Sequence, residues 1–215
     1  MQYSRLAFTR LNDRPIAIAG LEKRLIIDLK THGGFGVFDD GESLLRRSLL
    51  WRRGAVDVPT LRKIAFPPER NTAVPTWSWM AYEGGIDFLE LPLGGVEWQE
   101  DEVHSPWIPD TSEVYHTMTP TRSCELSAIA RDFDIKGASI IYDTPGPDIE
   151  KLPLKCIVMG RQQQQEELEN ARHYALFITP IKGASKYYER IGVGFLQGKY
   201  IELEAPGLSG LVKVR

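Results

Sequence analysis

The chain has 215 residues, 26 Lys/Arg against 29 Asp/Glu for a formal net charge of −3, and 42% hydrophobic residues. That length accommodates one large domain or two small ones, and the apolar content excludes a disordered or collagen-like chain. No apolar run approaches the roughly 18–20 residues that cross a bilayer, Met1–Arg5 lacks a basic-then-apolar leader, and Cys124 and Cys156 make no disulfide framework. The composition predicts a soluble, cytoplasmic protein with no membrane partner.

The charge is unevenly placed. Residues 1–70 carry 13 Lys/Arg and 8 Asp/Glu, whereas residues 71–215 carry 13 and 21. Neither part is basic enough for a nucleic-acid footprint to be the default expectation. Opposite signs on two parts predict that they dock on each other.

Taken in order, Tyr3–Thr9 reads as the end of a further helix beginning upstream. Ile18, Leu21, Leu25, Ile26 and Leu29 then recur at helical spacing, with Asn12 and Asp13 as caps, Pro15 in the first turn and Gly33-Gly34 as the stop. A second helix is predicted from about Glu42 to Arg53, where Leu45 and Leu49 share a stripe, Asp39 and Asp40 precede it, and Gly54 follows. Beyond Pro67-Pro68 the pattern alternates between Gly, Pro and Asp clusters. Strands are predicted at 74–81, 86–91, 95–99, 125–132, 139–142, 154–161, 173–179, 188–196, 199–203 and 211–214. In the strand at 173–179, Tyr174, Leu176 and Ile178 would face one side and Ala175 and Phe177 the other, both apolar as in a central strand. The expected fold is α+β and mainly β. A helical segment, 1–70, packs on a β-rich domain, 71–215, built as an antiparallel sandwich or barrel, the two forming one compact unit.

Candidate chemistry is sparse. Gly192-Val193-Gly194 with Gly198 has the wrong spacing and context for a dinucleotide fingerprint, and Gly33-Gly34-Phe35-Gly36 lacks the Lys-Ser/Thr of a phosphate loop. Ser209 misses the Gly-x-Ser-x-Gly elbow, Cys156 lies among apolar residues, and nothing brings Cys124 to His104 or His116. Zinc-type ligand pairs and calcium-loop spacing are absent, and the acidic run Glu97–Glu102 reads as a solvated strand end. No metal, cofactor or catalytic residue is therefore assigned. The unusual segment is Pro75-Thr76-Trp77-Ser78-Trp79. As a strand it would put Trp77 and Trp79 on one face, a buried packing surface or a stacking platform for a sugar or other small ligand, with Trp51 upstream to join it. Arg52 and Arg53, at the end of the second predicted helix, complete the candidate contact residues.

Several of these segments together resemble the fungal heterokaryon-incompatibility (HET) domain proteins. Tyr3-Ser4-Arg5 with Thr9, Asp13-Arg14-Pro15 with Ala17 and Gly20, Ser48-Leu49-Leu50-Trp51, and Pro75-Thr76-Trp77-Ser78-Trp79 are similar to motifs of that family. His173–Leu176 and Tyr188–Gly194 look like its closing strands. The family's upstream tyrosine-alanine-leucine-serine-tyrosine and tryptophan-glycine signatures do not occur, so the match resembles the region C-terminal to the HET domain itself. The resemblance implies a noncatalytic recognition or regulatory module in nonself recognition, lacking the effector domain and acting through a protein partner or self-association. Its expected contacts are exposed members of Trp51, Trp77 and Trp79 with Arg52 and Arg53. A carbohydrate- or small-ligand-binding β-domain using the Trp pair, and a hydrolase with a Ser/Cys-His site, are the alternatives.

Overall fold

The computed structural model describes residues 4, 10–54, 61–67, 74–92, 95–107, 124–144, 146, 151–163, 167–184, 186–204 and 210–215. The readings placed on Tyr3–Thr9 apart from Ser4, on His116 and on Ser209 lie outside these residues. The protein is α+β and mainly β. Its first helix, α1 (Arg14–Leu29), has Pro15 in the first turn, where a missing N–H costs nothing. It stops at Lys30 rather than at the glycines. Lys30 takes the left-handed conformation at φ 52°, and its N–H reaches the carbonyls of Ile26 and Ile27.

Gly33 and Gly34 instead belong to a hairpin, β1 (His32–Gly34) and β2 (Val37–Asp39). Its two-residue turn needs positive φ at both positions, met by Phe35 at 55° and Gly36 at 74°. The second predicted helix is shorter than expected. α2 covers Leu44–Leu49, and Trp51–Arg53 is a strand, β3. The helical stripe of Leu45 and Leu49 ends where Trp51–Arg53 finds Ile86–Phe88 as ladder partner, so tertiary pairing overrides the local pattern. Arg52 and Arg53 are therefore strand residues and do not cap a helix.

The small pieces β4 (Arg62–Lys63) and β5 (Tyr82–Glu83) pair with each other, and β6 (Ile86–Phe88) pairs with β3. The main sheet contains β7 (Val96–Trp98), β8 (Val103–His104), β9 (Leu126–Ile129), β10 (Ala138–Tyr142), β11 (Lys155–Gln162), β12 (Arg172–Pro180), β13 (Tyr187–Gln197) and β14 (Leu211–Val214). Its order is β7-β11-β12-β13-β14-β9-β8, with β10 also on β13; among the described residues only the β13–β14 pair is parallel. Just beyond β9, Arg131 exchanges backbone hydrogen bonds of 2.8 and 3.0 Å with Cys156 of β11. That bridge curls the five-strand path β11-β12-β13-β14-β9 back on itself, barrel-like, which leaves fewer open edges.

Alternation along the strands fills the interior. Leu126 and Ala128 of β9, Ile157 and Met159 of β11, Tyr174, Leu176 and Ile178 of β12, Val193 of β13 and Val212 and Val214 of β14 share one core with Val37, Leu45, Leu49 and Trp77. Helix-segment and β-domain residues thus occupy the same core. The opposite face of β11 and β12, with Cys156, Val158, Ala175 and Phe177, is covered by Phe133, Ile140 and Ile201. The two-sided apolar character expected of the strand at 173–179 is present. Gly192 and Gly194 serve this sheet, since a Cβ on either would collide with the β10 backbone at Ile141 or Ser139.

Two further expectations change. Residues 74–81 are not a strand but a turn followed by one 3-10 turn, Trp79–Ala81, because Ser78 N–H closes back on Pro75 O at 3.0 Å and Ser78 Oγ accepts from Met80 N–H at 3.0 Å. Residues 199–203 likewise contain a 3-10 turn, Gly198–Tyr200, and a single bridge from Ile201 to Phe133. Among the described residues no helix is long and apolar enough to cross a membrane.

Candidate functional site

The turn at Ser78 decides the fate of the tryptophans. Instead of sharing a strand face, Trp77 and Trp79 enter different cores and are 0% and 2% exposed. Trp77 Nε1 donates to Cys124 O at 3.1 Å, and its ring meets Phe35 and Trp107 edge-on at 6.2 and 5.7 Å. Trp79 Nε1 donates to Gly36 O at 3.1 Å. Between them, Ser78 Oγ donates to Phe35 O at 2.6 Å, so the hairpin turn and the Trp-Ser-Trp turn are clasped together. Of the two roles expected of this segment, buried packing is the one the tryptophans take, and the exposed stacking platform is not formed. Each indole has an apolar wall and a carbonyl for its N–H, the arrangement that makes a buried Trp favourable.

Trp51 is the third sealed indole, with 0% exposure. Its Nε1 donates to Trp77 O at 2.8 Å, its ring lies 5.4 Å from Tyr82, and Arg190 Cζ stands 3.1 Å from its ring centroid. All three Arg190 guanidinium nitrogens donate. Nε and Nη2 donate to Asp143 at 2.8 and 3.0 Å, Nη1 to Leu49 O at 2.8 Å, and Nη2 also to Trp51 O at 2.5 Å. Both ion-pair partners are essentially without solvent contact. Burial pushes the Asp143 carboxyl up, and the adjacent Arg190 charge and hydrogen bonds pull it back; burial likewise pushes Arg190 down.

Arg14 makes the matching clasp on the other side. Its Nη1 donates to Tyr82 O and its Nη2 to Ser4 O at 2.5 Å, with Cζ 5.3 Å from the Trp79 ring. Ser4 Oγ in turn accepts from Ile86 N–H at 3.0 Å. Thr76 Oγ1 accepts from Arg190 N–H at 3.0 Å and donates to Arg215 O. Segments around residues 4, 14, 50, 77 and 190 thus close into one buried Arg–Trp knot. They are the segments singled out in the sequence, now joined through backbone carbonyls. Planar, always charged guanidinium suits this work because it satisfies several carbonyls at once.

Of the predicted contact residues, only Arg52 and Arg53 retain surface. Both are half-buried on β3. Arg52 Nε donates to Phe88 O at 3.3 Å, and Arg53 is near enough to Asp143 to favour its ionised form. Asp143 and the buried Arg190 are not among the expected contacts, although Arg190 keeps the inward phase of Tyr188 along β13. Glu102 is a further addition. Expected on a solvated strand end, Glu102 is buried and receives Arg131 Nη2 at 2.5 Å, while Arg131 Nη1 donates to the carbonyls of Glu202, Leu203 and Glu204.

The remaining chemical groups are not brought together. His32 and His104 are exposed, whereas His173 is buried with Nδ1 2.9 Å from Ala171 O, and burial pushes its pKa down. Cys156 is sealed, its thiol pushed up to about 12 by burial. It pairs with Phe177, while His173 pairs with Arg161, five positions along β11. Among the described residues no group of three or more His, Cys, Asp or Glu side chains could hold a metal ion.

Fold and site together define a mainly β α+β protein organised around a buried Arg–Trp knot. Comparison of the chain with known protein families, with curated proteins and with solved structures finds no match to any of them.

Proposed function

We propose that the protein is a noncatalytic recognition or regulatory module, related to the fungal heterokaryon-incompatibility proteins and acting through a protein partner. The observation that carries this reading is α1. Ile16, Leu21, Ile27 and Leu29 are each more than half exposed on it, although Ile18, Leu25 and Ile26 already supply its inward face. A helix apolar on more than one face is normally covered on more than one face. The Arg–Trp knot supports the same reading, since the residues that carry the family resemblance hold the segments together and offer no exposed ring to a ligand. The knot makes a rigid base, and α1 presents apolar side chains from it.

The test is expression in filamentous-fungal hyphae of the chain and of an Ile16→Glu, Ile27→Glu double variant, with cell death scored after hyphal fusion. The expected result is that the chain changes the incompatibility response and the variant does not, while circular dichroism shows both folded. Equal effects of the two, or robust hydrolase turnover by the purified chain, overturn the proposal.

A further inference from the structure

We infer that the open groove between α2 and the chain following β6 is a binding site for a small amphipathic carboxylate, an aliphatic tail bearing one terminal carboxyl group. The groove has a volume of about 340 Å³, within the roughly 300–1,000 Å³ range of small-molecule sites. Its walls come from two elements joined through the β3–β6 ladder. On α2, Leu44, Arg47 and Ser48 stand at i, i+3 and i+4 and so share one helix face. Opposite them, Leu89 N–H donates to Leu50 O at 3.0 Å, which holds Phe88, Leu89 and Leu91 alongside Leu50.

The lining chemistry chooses the ligand. Leu44, Leu50, Phe88, Leu89 and Leu91 are apolar, and Phe88 is 38% exposed although it follows the sealed core residue Ile86 by only two positions. An aliphatic tail laid there removes that surface from water at about 25 cal/mol per Å². The polar members are donors. Arg46 spends its guanidinium on the carbonyls of Glu42, Gln99, Glu100 and Val103, whereas the neighbouring Arg47 side chain makes no hydrogen bond or ion pair with the described residues. Ser48 Oγ accepts from Phe38 N–H at 3.4 Å, which leaves its own proton to donate.

Among the described residues no carboxylate lines the groove to neutralise Arg47: Asp87 is in register with Arg52 across the β3–β6 ladder, and neither Asp87 nor Glu90 is a lining residue. One guanidinium with one hydroxyl matches a single carboxylate in charge and donor number. A polyphosphate would need more cations or a nest of backbone N–H groups, and a neutral lipid would leave Arg47 unused.

The test is titration of the full chain with octanoate and, separately, with octanol, read by methyl chemical shifts of the groove leucines. Saturable octanoate binding with shifts at Leu44, Leu89 and Leu91, tighter than octanol, is the expected result. Arg47→Gln, on an exposed side chain that folding does not require, is expected to weaken octanoate about tenfold, as loss of one charge-assisted hydrogen bond does, and to erase the preference over octanol. Equal affinity for the two probes in the wild-type chain, octanoate binding unchanged by the substitution, or no saturable shift overturns the assignment. None of these outcomes bears on α1 or its protein partner.

Discussion

Arg190 sits over the Trp51 ring, its Cζ 3.1 Å from the ring centroid, while two of its nitrogens hold Asp143 and two donate to the carbonyls of Leu49 and Trp51. One side chain from β13 thus fixes the end of α2, the start of β3 and the loop after β10. Removing it breaks a buried pair and leaves a carboxylate without its counter-charge, a loss of about 3–5 kcal/mol. Arg190→Met is expected to lower the denaturant midpoint accordingly. Arg190→Lys should recover only part of the loss, because an ammonium cannot span a carboxylate and two carbonyls together. The penalty in Arg190→Met is also expected to shrink as pH falls. Without Arg190, burial is opposed at Asp143 only by the Arg53 charge and pushes its carboxyl further up, so it takes a proton and loses its charge in acid. Denaturant unfolding at several pH values measures both effects.

Glu22 supplies a second pH dependence. Its Oε1 accepts from Gly36 N–H at 2.6 Å and thereby seats α1 on the hairpin, yet burial raises its carboxyl above the usual value, an effect the hydrogen bond only partly offsets. A carboxyl raised in the folded state binds its proton more tightly there than in the unfolded chain. Between the ordinary and the raised pKa, stability therefore falls as pH rises. Glu22→Gln keeps an acceptor for Gly36 and removes the charge. Its thermal midpoint is expected to equal or exceed that of the wild type at neutral pH, and to vary less across the acid range.

Gly36 is required twice. Its φ of 74° favours glycine, and a Cβ there would fall onto the Trp79 indole. Gly36→Ala is expected to cost on the order of 1–3 kcal/mol from backbone strain alone, and more through displacement of Trp79. Gly20, where a Cβ meets nothing within 4 Å, is the control: Gly20→Ala in α1 is expected to stabilise by about 0.4–1 kcal/mol. Thermal melts of the two variants give opposite signs.

The thiols should respond unequally to a disulfide probe. Cys156 has no solvent contact and a thiol pushed up to about 12, so in a Cys124→Ser background its modification is expected to wait for unfolding and to follow denaturant concentration. Cys124 is only half-buried, with burial also raising its thiol. In a Cys156→Ala background it should react in the native state, though more slowly than an exposed cysteine.

The strands at 173–179, 188–196 and 211–214 were legible because they alternate over long enough stretches for both faces to be read, and α1 because Pro15 and a helical apolar repeat coincide. The boundary at Trp51 was not legible. Leu45 and Leu49 continue a helical stripe up to it, and only the β6 ladder, some 35 residues away, turns Trp51–Arg53 into a strand. The Trp77–Trp79 segment carried aromatic content without its direction, since alternation and a Ser-initiated turn read alike until Phe35 and Met80 are in place around Ser78.

By itself the sequence determined the composition of the layers: a helix near the N-terminus, a mainly β fold, and an apolar pattern sufficient to fill a two-sided central strand. Those properties are local, set by periodicity and by turn residues within a few positions. Tertiary structure alone decided that the tryptophans are sealed, that Arg14 and Arg190 are internal, and that Arg47 rather than Arg46 faces an open groove. Each depends on carbonyls or carboxylates far along the chain, and a guanidinium is buried or exposed according to whether such partners reach it.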